Sequence, residues 1–156
     1  MRSDHEYHIG VEWQGNLGTG TSGYRDYGRA TQITSDGVPP ILASADKPFH
    51  GDAERWNPEL LLLAALSQCH LLSYLYVAVR NGIVVEAYVD DAVATLQTDA
   101  SGGGRFASAT LRPTVTISAG DPALAAALHR EAGELCFIAS SVNFPITHEP
   151  TILVAS

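Results

Sequence analysis

The chain has 156 residues, enough for a single domain (residues 1–156) with a substantial core and no need of disulfide or metal staples. An apolar content of 46% and a charged content of 17% belong to a globular chain and exclude a disordered one. The net charge of −8 leaves nothing to offset phosphate repulsion, which excludes a nucleic-acid partner from the expected functions.

The N-terminal stretch Met1–Gly10 is polar and has no apolar h-region, so no signal peptide is read there and a cytoplasmic location is expected. Tyr7–Trp13 alternates loosely and predicts a strand. Gly15, Gly18, Gly20 and Gly23 punctuate a turn-rich stretch after it. Arg25–Ser35 predicts a second strand closed by an Asp36-Gly37 turn. Val38–Arg55 holds Pro39, Pro40 and Pro48 among several charges and predicts an irregular, functional loop.

The strongest local signal is Asn57-Pro58-Glu59. Asn57 suits an N-cap, Pro58 the first helical position, and Glu59 sets negative charge against the helix N-terminus. The helix is predicted to run to about Asn81, with Gly82 as its stop. Its segment Leu60–Val79 is nearly long enough to span a bilayer, but Ser67, Gln68, Cys69 and His70 interrupt the centre. A helix buried on nearly every face is therefore expected, not a membrane span. So small a chain cannot surround that helix alone, which predicts a homodimer.

Ile83–Thr98 and Phe106–Ser118 read as two strands of a long antiparallel hairpin turning at Ser101–Gly104. Asp121-Pro122 opens a second helix, predicted through about Ala139, and Ile146–Ala155 reads as a final strand. The order is an α+β pattern with antiparallel sheet, without the regular alternation of a doubly wound fold.

Two cysteines, Cys69 in the first helix and Cys136 near the end of the second, carry the candidate chemistry. One reading is a pair of buried cysteines acting as small hydrophobes. The other is redox: in a reducing compartment a two-cysteine chain more often serves catalysis than crosslinking. That role needs a thiolate, and Cys69 lies too deep in its helix to use the helix dipole. A cation must lower its pKa, and Arg25, Arg55, Lys47, His50, His70 and His129 are the candidates. A Cys69/His70/His129/Cys136 metal site is disfavoured, because adjacent helical residues point about 100° apart and no CxxC or HxxxH spacing occurs. A Cys–His hydrolase with His129 as base lacks a nucleophile elbow. His5, His8 and His148 lie in polar surroundings and read as solvated surface residues. No cofactor motif is found: the glycine-rich stretches lack the ending of a phosphate-binding loop.

Asn57-Pro58-Glu59-Leu60, Ala64-Ala65 and Cys69, followed by Cys136-Phe137-Ile138-Ala139 and Ser141-Val142-Asn143 with Phe144-Pro145, resemble the OsmC/Ohr family of osmotically inducible and organic-hydroperoxide-resistance proteins. The resemblance covers roughly residues 7–154. It implies an OsmC-like α+β fold, with antiparallel sheets packed on two long central helices in an intertwined homodimer. It implies a thiol-dependent peroxidase acting on hydrophobic organic hydroperoxides in the stress response. Cys69 would be peroxidatic, Cys136 resolving, and Glu59 would orient the catalytic arginine. Gly23-Tyr24-Arg25-Asp26 resembles the Gly-Gly-Arg-Asp segment of the Ohr branch and favours Arg25. In the OsmC branch the arginine precedes Asn-Pro-Glu, where this chain has Lys47, His50 and Arg55. Likeness to the Ohr branch would imply a dithiol reductant such as a lipoylated protein. A non-catalytic member binding a hydrophobic ligand at the dimer interface is the alternative.

Glu59 and Cys69 are ten residues apart, about 15 Å along an ideal helix. Glu59 cannot reach Cys69 along its own helix, a second reason to expect a partner subunit.

Overall fold

A computed structural model describes residues 3–156, so the first two residues of the polar Met1–Gly10 stretch lie outside it. The chain forms two compact units, residues 1–61 and 62–156. In the first, β1 (Gly10–Trp13), β2 (Thr31–Thr34) and β3 (Ile41–Ala43) make an antiparallel meander. β1 starts at Gly10 and not at Tyr7, and β2 begins only at Thr31, because the glycine-rich stretch before it folds on itself. Trp13 donates its indole N–H to the Gly28 carbonyl at 2.8 Å, and the Gly28 N–H donates to the Gly15 carbonyl at 2.8 Å. A Cβ on Gly15 would lie 1.8 Å from the Gly28 oxygen, so only glycine permits this closure. The expected irregular loop contains β3 and a single 3-10 turn, Lys47–Phe49, capped by the Asp46 carboxylate.

The helix α1 spans Pro58–Arg80. Asn57 accepts the Leu60 N–H at 2.8 Å as its cap, and Gly82 follows it with φ +69°. The expected burial on nearly every face includes a second subunit; the single chain covers one side. Leu66, His70, Tyr74, Val77 and Ala78 form one buried stripe, whereas Leu72, Tyr76 and Val79 are exposed. The reason is supply: the single chain has too few other elements to cover both sides.

In the second unit the predicted hairpin is present but creased. Its first arm divides into β4 (Val84–Asp90) and β5 (Val93–Thr98), its second into β6 (Gly104–Leu111) and β7 (Pro113–Ala119). β4 pairs with β7, and β5 with β6. The predicted last strand breaks likewise into β8 (Ile146–His148) and β9 (Thr151–Val154) around Glu149-Pro150. Polar groups stitch the crease. The Arg112 N–H donates to Asp90 at 2.7 Å, and the Arg112 guanidinium donates to Glu149 at 3.0 Å. Two three-stranded sheets result, β4-β7-β9 and β5-β6-β8. The expectation of antiparallel sheets holds only in part: β8 runs parallel to β6 and β9 parallel to β7. The α2 crossover between β7 and β8 returns the chain in the same direction.

The second helix, α2 (Pro122–Leu135), starts as predicted, with Asp121 accepting the Ala123 N–H at 2.9 Å. It stops at Leu135, short of Ala139. It has 14 residues against 23 in α1. Two hydrophobic clusters fill this unit. One joins Tyr74, Val77, Ile83, Val115, Ile117 and Leu128; the other joins Leu66, Ala109, Leu111 and Cys136, with Cys69 packed against it.

Candidate functional site

The second cluster brings the two cysteines together. Cys69 projects from the middle of α1 and is half-buried; Cys136 caps α2 and is fully buried. Both are free thiols. The Cys136 thiol lies within hydrogen-bonding reach of Cys69 and accepts the Ala139 N–H at 3.3 Å. Burial, with the Cys69 hydrogen bond behind it, pushes the Cys136 thiol up to about 11, although the Ala139 N–H pulls the other way. At neutral pH Cys136 is therefore a protonated thiol beside a more exposed one. To condense with an oxidised first thiol it has to give up that proton as it attacks.

The residues expected to act on Cys69 divide by unit. Arg25, Lys47, His50, Arg55 and Glu59 belong to the first. Arg25 is exposed and, among the described residues, forms no ion pair. Arg55 meets Asp52 at 3.5 Å, and His50 lies edge-on to Tyr24. One Glu59 carboxylate oxygen is buried without a hydrogen-bond partner, as is one terminal nitrogen of Arg55. An unpartnered buried carboxylate oxygen is costly, which sets Glu59 apart from a solvated helix-start acid. Arg29, which sequence reading passed over, donates to the Tyr24 and Tyr27 carbonyls and stacks on both rings. Its part is to hold the Arg25 loop in shape.

His70 and His129 do not serve as the expected cations. Their rings are buried and face each other, His70 Nε2 to His129 Nδ1 at 3.0 Å. Burial first, and then the neighbouring His148, lower His70 to about 3 and His129 to about 4, so both are neutral at pH 7. His148, expected at the surface, instead stacks on His70 with ring centroids 4.2 Å apart. Tyr74 completes the column on His129 at 4.0 Å. The column draws on α1, α2 and β8, so no local pattern announces it. The one visible sign is the i, i+4 spacing of His70 and Tyr74. Among the described residues, no group of three or more His, Cys, Asp or Glu side chains is arranged to hold a metal ion.

Residues 51–151 match the family of OsmC-like proteins. The chain belongs to this family. A solved structure of an OsmC-like protein of unknown function from Vibrio cholerae is 31% identical, with a TM-score of 0.82 over 94% of this chain and 99% of that one. An organic hydroperoxide resistance protein from Elizabethkingia anophelis is 20% identical, with a TM-score of 0.68 over 98% and 100%. The organic hydroperoxide resistance protein OhrB of Bacillus subtilis is 23% identical, with a TM-score of 0.61 over 94% and 98%. At that identity the last two share the OsmC-like fold. No curated protein matches the sequence. The mixed α+β architecture and its two helices are those of OsmC-like structures, and the family includes proteins named for organic hydroperoxide resistance.

Proposed function

We propose that this OsmC-like protein is a thiol-dependent peroxidase that reduces hydrophobic organic hydroperoxides. The observation that carries the proposal is the adjacency of two free thiols from separate helices, one half-buried and one fully buried. The Cys69 thiolate attacks the outer oxygen of ROOH, the O–O bond breaks, and the alkoxide leaves to take up a proton as ROH. Cys69 is now a sulfenic acid. The Cys136 thiol displaces its hydroxyl as water, forming a Cys69–Cys136 disulfide. A dithiol then reduces the disulfide by two exchanges. A protein-bound dihydrolipoamide in the cytoplasm is the proposed reductant.

The remaining site residues enter from a second copy of the chain. The exposed apolar face of α1, with Leu72, Tyr76 and Val79, supports a homodimer. The unpartnered buried oxygen of Glu59 supports a carboxylate that receives an arginine, with Arg25 proposed as that arginine and as the cation serving Cys69. Light scattering on the purified protein should give twice the chain mass; a monomer would overturn the dimer.

For the chemistry, the reduced protein is treated with an alkyl hydroperoxide and its thiols are counted by mass spectrometry. Both should disappear as peroxide is consumed. Retention of both, with peroxide untouched, refutes the peroxidase. A second reading, a non-catalytic carrier of a hydrophobic ligand, is favoured by a cavity of about 450 Å³ in the first unit lined by Val11, Trp13, Tyr27, Ile33 and Leu61. A Cys69 pKa at or above that of a free thiol would select that reading.

A further inference from the structure

The turn after α2 closes on Cys136 from two sides. The Cys136 carbonyl accepts both the N–H and the hydroxyl of Ser140, and the Cys136 sulfur accepts the Ala139 N–H at 3.3 Å. Two consecutive residues thus hold the main chain and the side chain of one cysteine. The Ser140 bonds secure the turn, whereas the Ala139 bond ends on the sulfur atom itself. A neutral thiol is a weak acceptor, so that bond adds little to the fold. The same N–H facing a thiolate makes a charge-assisted bond, roughly twice as strong as a neutral one.

Cys136 develops negative charge twice in a thiol cycle, once as it attacks and once as it leaves. Its side chain is fully buried, so bulk water cannot solvate that charge. Burial first, and then Cys69, oppose a charge on this sulfur, whereas the N–H groups of Ala139 and Ile138 favour it. Of these two, the Ala139 N–H makes the hydrogen bond.

We propose that the Ala139 N–H is a catalytic group of the thiol cycle, holding negative charge on the Cys136 sulfur as that cysteine attacks and again as it leaves. Its role in attack rests on the peroxidase reading; its role in leaving does not. In attack, the Cys136 S–H proton passes to the hydroxyl of the Cys69 sulfenic acid. The S–O bond breaks, water departs and the S–S bond forms. In reduction, a thiolate of the reductant attacks the half-buried Cys69 sulfur, because the Cys136 sulfur is inaccessible. The S–S bond breaks and its electron pair leaves on Cys136, where the Ala139 N–H receives it. The second thiol of the reductant protonates Cys136 and then displaces Cys69 as a thiolate, closing the reductant's own disulfide.

The test deletes that N–H in the whole protein in two ways. Ala139→Pro removes it, and the Ser140 bonds to Cys136 do not depend on it. Lactic acid in place of Ala139, which exchanges the amide for an ester, keeps the methyl group and serves where proline disturbs the turn. Ala139→Gly restores the N–H without the methyl. In one arm an alkyl hydroperoxide oxidises the reduced protein, and mass spectrometry follows Cys69 oxidation and the disulfide. In the other, diamide forms the disulfide, becoming a hydrazine, and dithiothreitol then reduces it. Both deletions should slow disulfide formation and its reduction at least about tenfold, with peroxide attack on Cys69 unchanged and more sulfinic acid formed. Ala139→Gly should recover both rates to within about threefold of the wild type. An ester variant at wild-type rates overturns the proposal, as does Ala139→Gly as slow as Ala139→Pro, or an equal slowing of peroxide attack. If the wild type leaves peroxide untouched, the peroxidase reading fails, and the dithiothreitol arm decides for Ala139. If diamide joins no Cys69–Cys136 disulfide, this role of Ala139 falls too.

Discussion

The two hydrophobic clusters of the second unit bury ionisable groups of opposite kind. Around Leu66 and Leu111 the buried group is an acid, Cys136, and burial raises it; beside Tyr74 and Leu128 the buried groups are bases, His70 and His129, and burial lowers them. One physical cause, loss of water around the charged form, keeps all three neutral at pH 7. The clusters differ in what remains open. The thiol cluster keeps a half-buried partner, Cys69, at its edge, whereas the imidazole pair is 1–2% exposed and sealed from solvent. With His70 and His129 neutral, Arg25, Arg55, Lys47 and His50 are left of the candidate cations for Cys69.

The largest expected effect sets Cys69 apart from Cys136. Cys69→Ser should reduce peroxide turnover to background. Cys136→Ser should permit the first oxidation and then let Cys69 proceed to the sulfinic acid, read by mass spectrometry. Equal behaviour of the two variants would remove the division of roles.

Next comes pH, which should act through the imidazole cluster. The folded values of about 3 and about 4 lie below the ordinary 6.5, so between these limits the unfolded chain binds more protons than the folded one. Stability therefore rises with pH. The loss begins as pH falls through about 6.5, the unfolded value, and continues toward the folded values. His148 adds to it in the same direction, since burial lowers it despite the nearby Asp90 carboxylate. Urea unfolding at pH 7, 5.5 and 4.5 measures the slope. His129→Phe should flatten it, and a flat wild-type profile would contradict the assignment.

Core truncation separates the clusters at smaller magnitude. Leu66→Ala should cost about 2–5 kcal/mol and slow disulfide formation, because Leu66 packs in the cluster that holds the cysteines. Val77→Ala in the other cluster should lower stability while leaving the disulfide rate near wild type. The smallest effect belongs to Asp121→Ala, which removes the α2 cap for about 1 kcal/mol. Hydrogen exchange should quicken at the start of α2, near Ala125, more than at Cys136.

Local chemistry made parts of this molecule legible in advance. Asn57-Pro58 and Asp121-Pro122 each place a capping side chain before a residue that needs no N–H, and Gly82 supplies the positive φ that ends α1. Those signals lie within a few residues of what they determine. The crease at Asp90, Arg112 and Glu149 does not, since it exists only when three strands lie side by side. The same holds for His148: Thr147, Glu149 and Pro150 make its surroundings polar in sequence, yet its ring packs on a helix residue far from it along the chain. The proximity of Cys69 and Cys136 was legible only through the family pattern, because apolar neighbours alone describe any pair of core cysteines.

Cys136 stands one residue beyond the last turn of α2, in an extended conformation at φ −73° and ψ 112°. Its backbone N–H reaches only the Gly133 carbonyl, at 3.3 Å. Its carbonyl accepts the Ser140 N–H at 3.0 Å and the Ser140 hydroxyl at 3.1 Å, so Cys136 is tied to the short turn that follows it, whereas Cys69 is anchored midway along a 23-residue rod. When the two sulfurs close to bonding distance, nearly all of the travel should therefore fall on the Cys136 side. Oxidation would reach the rest of the protein as a tug on the Ala139–Ser141 turn and the strand after it, with α1 standing still.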